Sequence, residues 1–169
     1  MRSVILSHAY LDPAARGKLR ALAALGCAIT VGVPERWTDA EGRPLRPAVW
    51  QDDAGVRIVP IPVSGGSDPR WKRRALERLI SDARPDVVQV EEEPETRTAA
   101  IASAIARRLK VPLVLHSQAP LPPRLGALAR WSRRRTLRRA QGLEAGNALA
   151  RDLLARECPG IPIAVLPQL

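Results

Sequence analysis

The feature that most constrains the fold is an alternation of short apolar segments with segments of helical periodicity along nearly the whole chain. Several apolar segments show no polar alternation, which is typical of strands covered on both faces. Strands are predicted over residues 3–8, 28–34, 56–63, 86–91, 112–117, 142–146 and 162–167. Because helices lie between most of them, the strands require crossover connections. The predicted fold is therefore α/β, a three-layer α/β/α sandwich with a mainly parallel sheet.

Five helices are predicted between these strands, over residues 13–25, 70–84, from about 96 to 109, 124–140 and 147–157. The first has Asp12 as N-cap and Gly26 beyond its end, with Ala15, Leu19, Leu22 and Ala23 on its buried face. Asn147 is the candidate N-cap of the last. Residues 35–55 are rich in Pro, Gly and Asp and are predicted to be irregular or a small hairpin.

The chain has 169 residues, which predicts a single domain over residues 1–169. No apolar run approaches the roughly 20 residues of a membrane-spanning helix. The isolated Cys27 and Cys158 lack metal-ligand spacing and are interpreted as packing residues in a reducing cytoplasm. Neither a metal nor a cofactor is predicted.

The net charge of +10 is concentrated in two segments. Residues 70–78 carry +4, residues 124–139 carry +7, and the rest of the chain carries −1. Such segments are most often solvated helix faces, but they also attract phosphates or anionic lipid. Each contains a tryptophan, which favours a membrane interface. The predicted membrane or anion patch comprises Arg70, Trp71, Lys72, Arg73, Arg74, Trp131, Arg133, Arg134 and Arg135.

Polar residues follow several predicted strands, and ligands of open α/β sheets bind beyond the carboxyl ends of strands. The loop after the first strand holds His8, Tyr10, Asp12 and Arg16. Glu91, Glu92 and Glu93 end a central strand just before a helix. These carboxylates either cap that helix or bind ligand hydroxyls.

A histidine at a strand end either binds a hydroxyl or phosphate, relays a proton, or is only a hydrogen-bonded structural residue. His116 ends its strand before a Pro-rich loop, and His8 ends the first strand. His116 and Glu93 are the predicted catalytic residues. Glu91, Glu92, Asn147 and His8 are predicted to contact substrate.

Several motif classes are absent from the sequence. No G-x-G-x-x-G follows the first strand, and no Walker loop, zinc-ligand spacing or G-x-S-x-G elbow occurs. These absences argue against dehydrogenase, P-loop and hydrolase functions.

Four segments together resemble the N-terminal half of retaining glycosyltransferases of family 4: "HAYLDPAARGKLRALAALG" with "ITVGVPERW", "PDVVQVEEEPET" and "RRAQGLEAGNALARDLL". The resemblance implies a GT-B fold, in which two Rossmann-like domains face one another across a cleft. It implies that the N-terminal domain mostly binds the acceptor, with Tyr10, Asp12 and Arg16 facing the cleft and Gly17 allowing close packing at the helix start. Two departures are the first loop, which is not Gly-rich, and the position of His116, which lies earlier than the family histidine.

The resemblance also implies partners and location. Many members act at the cytoplasmic face of membranes on lipid-linked acceptors, which agrees with the basic segments. The family's second domain makes most nucleotide-sugar contacts, and we expect it to be absent from this chain. We therefore expect no sugar transfer by the chain alone, and a homodimer through the exposed cleft surface.

Two other functions are weighed against an acceptor-side glycosyltransferase domain. One is a stand-alone, non-catalytic module that binds a glycan or anionic lipid. The other is nucleic-acid binding, which is disfavoured because the arginines lie on helices and no strand carries aromatic stacking platforms.

Overall fold

The computed structural model describes residues 1–38, 42–47, 53, 55–65 and 70–166. Its strands are β1 Arg2–Leu6, β2 Ala28–Pro34, β3 Trp37–Thr38, β4 Pro44–Leu45, β5 Val56–Ile61, β6 Val63–Ser64, β7 Arg70–Trp71, β8 Val87–Val90, β9 Leu113–Ser117, β10 Gly142–Ala145 and β11 Ile163–Val165. Its α-helices are α1 Gly17–Ala24, α2 Arg73–Ala83, α3 Arg97–Leu109, α4 Ala127–Leu137 and α5 Ala148–Glu157.

A seven-stranded sheet has the strand order β11-β10-β9-β8-β1-β2-β5. The pairs β1–β2, β2–β5, β9–β10 and β10–β11 are parallel. Each predicted strand is present. The second has its predicted bounds, the first begins one residue early and ends two residues early, and the others are shorter at one or both ends. Residue 167 of the last predicted strand lies outside the described residues. The mainly parallel, Rossmann-like α/β fold is thus confirmed. The chain divides into two compact units, Met1–Val88 and Gln89–Leu169, which are described separately.

Unit 1 (Met1–Val88) is built on β1, β2 and β5, against which α1 and α2 pack. The face of α2 that packs on the sheet is apolar, with Leu76, Leu79 and Ile80 buried. Gly32 of β2 makes this packing close: a Cβ there would lie 2.7 Å from Leu6 Cδ2 and 2.8 Å from Leu79 Cδ2. A glycine therefore lets α2 approach the sheet.

The first helix begins with a 3-10 turn over Pro13–Arg16 and continues as α1. The predicted N-cap is confirmed because the Ala14 amide donates to Asp12 Oδ1 at 2.8 Å, and Gly26 follows the end with a φ of 82°. The prediction that Ala15 is buried is wrong, since it is exposed. A 3-10 turn advances about 120° per residue instead of 100°, so the buried face starts later, at Leu19.

The connections of unit 1 contain two short antiparallel ladders. The β3–β4 ladder agrees with the small hairpin predicted within residues 35–55, of which 39–41, 48–52 and 54 lie outside the described residues. The β6–β7 ladder was not predicted, and it pairs Trp71 with Val63. Trp71 therefore precedes α2 instead of belonging to it.

Unit 2 (Gln89–Leu169) is built on β9, β10 and β11. Helix α3 packs on β9 and α4, and α5 packs on β10 and β11. Thr96 and Asn147 cap α3 and α5, accepting from the Ala99 amide at 3.2 Å and the Ala150 amide at 2.8 Å. The predicted cap at Asn147 is thus confirmed.

Helix α4 departs from the predicted helix over residues 124–140. It is shorter, Ala127–Leu137, and its Leu128 is 78% exposed. Arg133 is instead buried, because its guanidinium donates to Glu95 and to Glu157 Oε2, the latter at 2.9 Å. The buried face of α4 thus consists of Arg133, Thr136 and Leu137. Among the described residues, none of the helices combines the length and apolarity that crossing a membrane requires.

An ion pair in the interior of unit 1 connects the start of the first helix to the segment before β5. Arg16 is 0% exposed, its Nη1 donates to Asp53, and its Nε donates to the Tyr10 carbonyl at 2.8 Å. Arg20 Nη1 lies 3.8 Å from the other Asp53 oxygen. Removing one partner of a buried ion pair leaves the other charge buried without a counter-ion, which is destabilising.

We predict that Asp53→Ala lowers the free energy of unfolding by about 3–5 kcal/mol, because Arg16 is left buried without its counter-ion. The double variant Arg16→Met/Asp53→Leu should recover at least half of that loss. Urea unfolding measures both, with Asp82→Ala on the exposed side of α2 as control. A loss below about 1 kcal/mol for Asp53→Ala would show that the pair is dispensable.

Candidate functional site

The parallel register of β9 and β10 places His116 beside Glu144 near the carboxyl ends of both strands. His116 Nδ1 lies 3.7 Å from Glu144 Oε2, and the imidazole is 4% exposed. Neither ring nitrogen has a hydrogen-bond partner among the described residues. A buried imidazole with both nitrogens unsatisfied retains its full capacity to bind a polar group.

The Gln89 side chain extends this cluster toward β8. Its Nε2 donates to Glu144 Oε2 at 2.8 Å and to Glu91 Oε1 at 2.9 Å. One neutral amide thus joins two carboxylates, and His116 lies beside one of them, Glu144. We call Gln89, Glu91, His116 and Glu144 the polar network.

Two members of the network, Gln89 and Glu144, were not predicted from the sequence. Both occupy alternate positions within otherwise apolar strands, in "VVQVE" and "GLEAG". That alternation places a polar side chain on the face opposite Val88, Val90, Leu143 and Ala145, which are fully or almost fully buried. The pattern was the signal that could have found them.

Glu93 holds the segment that follows β9. Its Oε2 accepts from the Ser117 hydroxyl at 2.6 Å, and its Oε1 accepts from the amides of Gln118 at 2.7 Å and Ala119 at 3.2 Å. Three donors thus converge on one carboxylate, so this group fixes a loop. Its catalytic role stays a prediction.

The other side of that loop is held by Gly146 and Asn147. The Gly146 amide donates to the Ser117 carbonyl at 2.9 Å, and Asn147 Nδ2 donates to the Gln118 carbonyl at 2.9 Å. A Cβ at position 146 would lie 2.9 Å from Gln118 Cγ, so the close approach favours glycine. Asn147 therefore both caps α5 and anchors the loop beside the network.

Glu92 is buried, and its contact with substrate stays a prediction. Among the described residues, no group of three or more His, Cys, Asp or Glu side chains is arranged to hold a metal ion.

The loop after β1 in unit 1 differs from the expected open, polar arrangement. Tyr10 is buried in the apolar core with Leu11 and Leu19, and Arg16 is fully buried. The expectation that these two side chains face a cleft is therefore wrong, because core packing and the Asp53 ion pair draw them inward. His8 stacks on Trp37 with ring centroids 4.4 Å apart, and Asp12 is exposed.

Gly17 also differs from expectation. A Cβ built there meets no described atom within 4 Å, so close packing does not require a glycine at this helix start. A substrate contact at Gly17 stays a prediction.

The predicted basic patch divides into exposed and buried members. Arg70, Lys72, Arg73 and Arg74 are exposed, as are Trp131, Arg134 and Arg135. Two assignments are wrong: Trp71 is 3% exposed in the β6–β7 ladder, and Arg133 is buried between Glu95 and Glu157. Pairing with β6 buries Trp71, and the two carboxylates bury Arg133.

We predict that Glu93→Ala frees the segment after β9, because three hydrogen bonds worth about 1–3 kcal/mol to a charged acceptor are lost. Amide exchange of Gln118 and Ala119, whose N–H groups donate to Glu93, should accelerate at least about tenfold. Asp82→Ala is the control. The exchange rates in Glu93→Gln should lie between those of the parent and Glu93→Ala, since the glutamine keeps one carbonyl oxygen as an acceptor. Unchanged exchange in Glu93→Ala would contradict the clamp.

Comparisons with known structures place this geometry in context. HepE from Anabaena, solved in complex with UDP, matches 99% of this chain and 44% of its own with a TM-score of 0.64 at 13% identity. UDP-GlcNAc 2-epimerase from Neisseria meningitidis, bound to UDP-GlcNAc, matches 97% of this chain and 45% of its own at a TM-score of 0.59 and 17% identity. MurG from Acinetobacter baumannii matches 85% of this chain and 40% of its own, with a TM-score of 0.51 at 16% identity.

At these identities the likeness concerns the fold, and the chain spans less than half the length of each of these three structures. No curated protein sequence matches the chain at a significant level. The family model described as "Glycosyl transferase 4-like domain" matches residues 12–168, nearly the whole chain. The chain therefore belongs to the glycosyl transferase 4-like domain family.

Proposed function

We propose that this chain is the acceptor-side domain of a retaining glycosyltransferase that moves a sugar from a nucleotide-sugar donor to a glycan or lipid-linked acceptor. Family membership over residues 12–168 supports the reaction class. The single observation that carries the acceptor role is the unsatisfied His116 imidazole within the polar network, near the carboxyl ends of β9 and β10.

The chemistry of the network suits sugar hydroxyls. A hydroxyl donates one hydrogen bond and accepts others, so it can bind a carboxylate oxygen and an imidazole together. Glu144 supplies a hydrogen-bond acceptor. His116 supplies either a donor or an acceptor, and its Nδ1 lies 3.7 Å from Glu144 Oε2. In the proposed role His116 binds or deprotonates an acceptor hydroxyl, and Gln89 holds Glu144 in place through its 2.8 Å bond.

The proposal assigns the remaining residues by position. Glu93, Asn147 and Gly146 set the loop that borders the network, so we assign Glu93 as a positioning residue. His8 and Asp12 of unit 1 remain proposed substrate contacts, since neither is fully buried.

Sugar transfer requires more protein than these residues, under the same proposal. Transfer needs donor and acceptor held together and water excluded. HepE and the Neisseria epimerase bind UDP or UDP-GlcNAc in chains more than twice this length. We propose that donor binding lies mainly outside residues 1–169. We also propose that the chain self-associates through its exposed cleft surface, which light scattering would measure.

The proposed setting is the cytoplasmic face of a membrane. Leu128 and Trp131 are large apolar side chains exposed on α4, and the exposed Arg130 and Arg134 flank them. Such an arrangement suits the headgroup region of a bilayer.

The test combines a transfer assay with an acceptor-binding assay on the purified chain. Radiolabelled UDP-, GDP- and ADP-hexoses with a bacterial lipid extract should give no product. Ligand-observed NMR with a soluble oligosaccharide panel should detect binding that His116→Ala and Glu144→Gln each weaken about tenfold, by loss of one hydrogen bond. Asp82→Asn is the control, and circular dichroism checks folding.

Two results would overturn the proposal. Sugar transfer by the chain alone would show that the donor site lies within it. Oligosaccharide binding that both network variants leave unchanged would remove the network from the acceptor site. Specific oligosaccharide binding that gives no transfer even with a separate donor-binding domain added would favour the stand-alone module.

A further inference from the structure

A basic groove lies in unit 2 at the opposite ends of the strands from the polar network. Val111 and Pro112, just before β9, and Gln141, just before β10, form its floor. The volume of the groove is about 850 Å³. We call this feature the α3–α4 groove, and six cationic side chains line it: Arg107, Lys110, Arg134, Arg135, Arg138 and Arg139.

The charges in this groove are unbalanced. No carboxylate lines it, and none of the six cations forms an ion pair with a carboxylate in the part of the chain that the structure describes. Helices α3 and α4 both end here, and each carbonyl end offers about half a negative charge. Two helix ends offset about one of six positive charges, so about five remain.

Arg133 on the same helix shows the contrast. It is buried, and it pairs with Glu95 and Glu157. The helix thus satisfies its inward arginine with carboxylates from this chain, whereas the groove arginines converge without any.

Arg139 is the most constrained of the six. Its Nη1 donates to the Ser103 hydroxyl at 3.0 Å, which holds the side chain in place, while its Nε is buried with no partner among the described residues. Burial, followed by the charges of Arg135 and Arg107, lowers the pKa of the Arg139 guanidinium below its ordinary value. A bound anion would relieve both the repulsion and the unsatisfied donor.

An aromatic wall completes the groove. The Arg135 guanidinium lies 5.2 Å from the centre of the Trp131 ring, close enough for a cation–π contact that orients it. Guanidinium groups bind phosphate oxygens through paired N–H donors, which makes arginine clusters selective for phosphates.

We propose that the α3–α4 groove binds a multiply charged phosphate group, independently of the acceptor site at the other end of the strands. The volume is within the range of small-molecule sites, which exceeds the need of a single phosphate. Since about five positive charges in the groove are unbalanced, the groove favours a ligand with at least two negative charges, as in a diphosphate. Its source is either a soluble phosphate compound or the headgroups of an anionic lipid.

The experiment compares two charge-matched double variants. Arg135→Ala/Arg138→Ala removes two exposed cations from the groove, and Arg57→Ala/Arg78→Ala removes two exposed cations of unit 1 that belong neither to the groove nor to the predicted patch. Both lose the same net charge. The probes are inorganic pyrophosphate, measured by calorimetry at low salt, and vesicles of phosphatidylcholine with or without phosphatidylglycerol, measured by co-sedimentation.

If the ligand is soluble, we expect the parent to bind pyrophosphate and the groove variant to weaken this binding at least tenfold. The unit 1 variant should change it less than twofold. If the ligand is a lipid headgroup, we expect the same difference between the two double variants in vesicle binding, and only with vesicles that contain phosphatidylglycerol. Either result supports the groove and identifies the source, and the binding should weaken as salt is raised.

Equal losses in the two double variants would show a general charge effect and overturn the proposal. So would the absence of binding to both probes by the folded parent chain. Oligosaccharide binding at the polar network is measured separately, so failure of the acceptor proposal would leave this result unaffected.

Discussion

The candidate site depends on the parallel register of β9 and β10. That register aligns Glu144 with His116 and Ala145 with Ser117, so two strand ends present their side chains together. One step of slippage would send His116 and Glu144 to opposite faces, because side chains alternate along a strand. The loop that follows β9 is then held by Glu93 on one side and by Gly146 and Asn147 on the other.

Unit 2 separates its charges by strand end. Carboxylates of the polar network lie near the carboxyl ends of β9 and β10, where an imidazole stands beside them. Six cations lie at the opposite ends, in the α3–α4 groove. This separation underlies the two proposed ligand chemistries, hydroxyl recognition at one end and phosphate recognition at the other. A substrate with a glycan linked to a lipid phosphate contains both, although the two proposals rest on different observations.

The sequence predicted the elements whose causes are local. The strands were predicted from apolar runs. The caps at Asp12 and Asn147 were predicted because such side chains accept hydrogen bonds from amides two or three residues away. The catalytic roles predicted at the carboxyl end of β9 stay predictions. The exposure expected of Tyr10, Arg16, Trp71 and Arg133 is wrong, because all four side chains are buried.

Two of these errors, at Arg16 and Arg133, arise from a partner distant in sequence. Arg16 pairs with Asp53, 37 residues away, and Arg133 pairs with Glu95, 38 residues away. Gln89 and Glu144 are 55 residues apart. A charge run read by itself predicts exposure, since periodicity carries no information about which arginine meets a carboxylate from another element.

The central claim is that the His116 imidazole is an unsatisfied ligand-binding group, and histidine-selective ¹⁵N NMR tests it directly. The chain has two histidines, so His8, stacked on Trp37, serves as an internal reference. Titration with soluble oligosaccharides should shift the His116 nitrogen resonances in a saturable way, and Glu144→Gln should weaken that response. Saturable binding that leaves both His116 nitrogens unshifted would contradict the account.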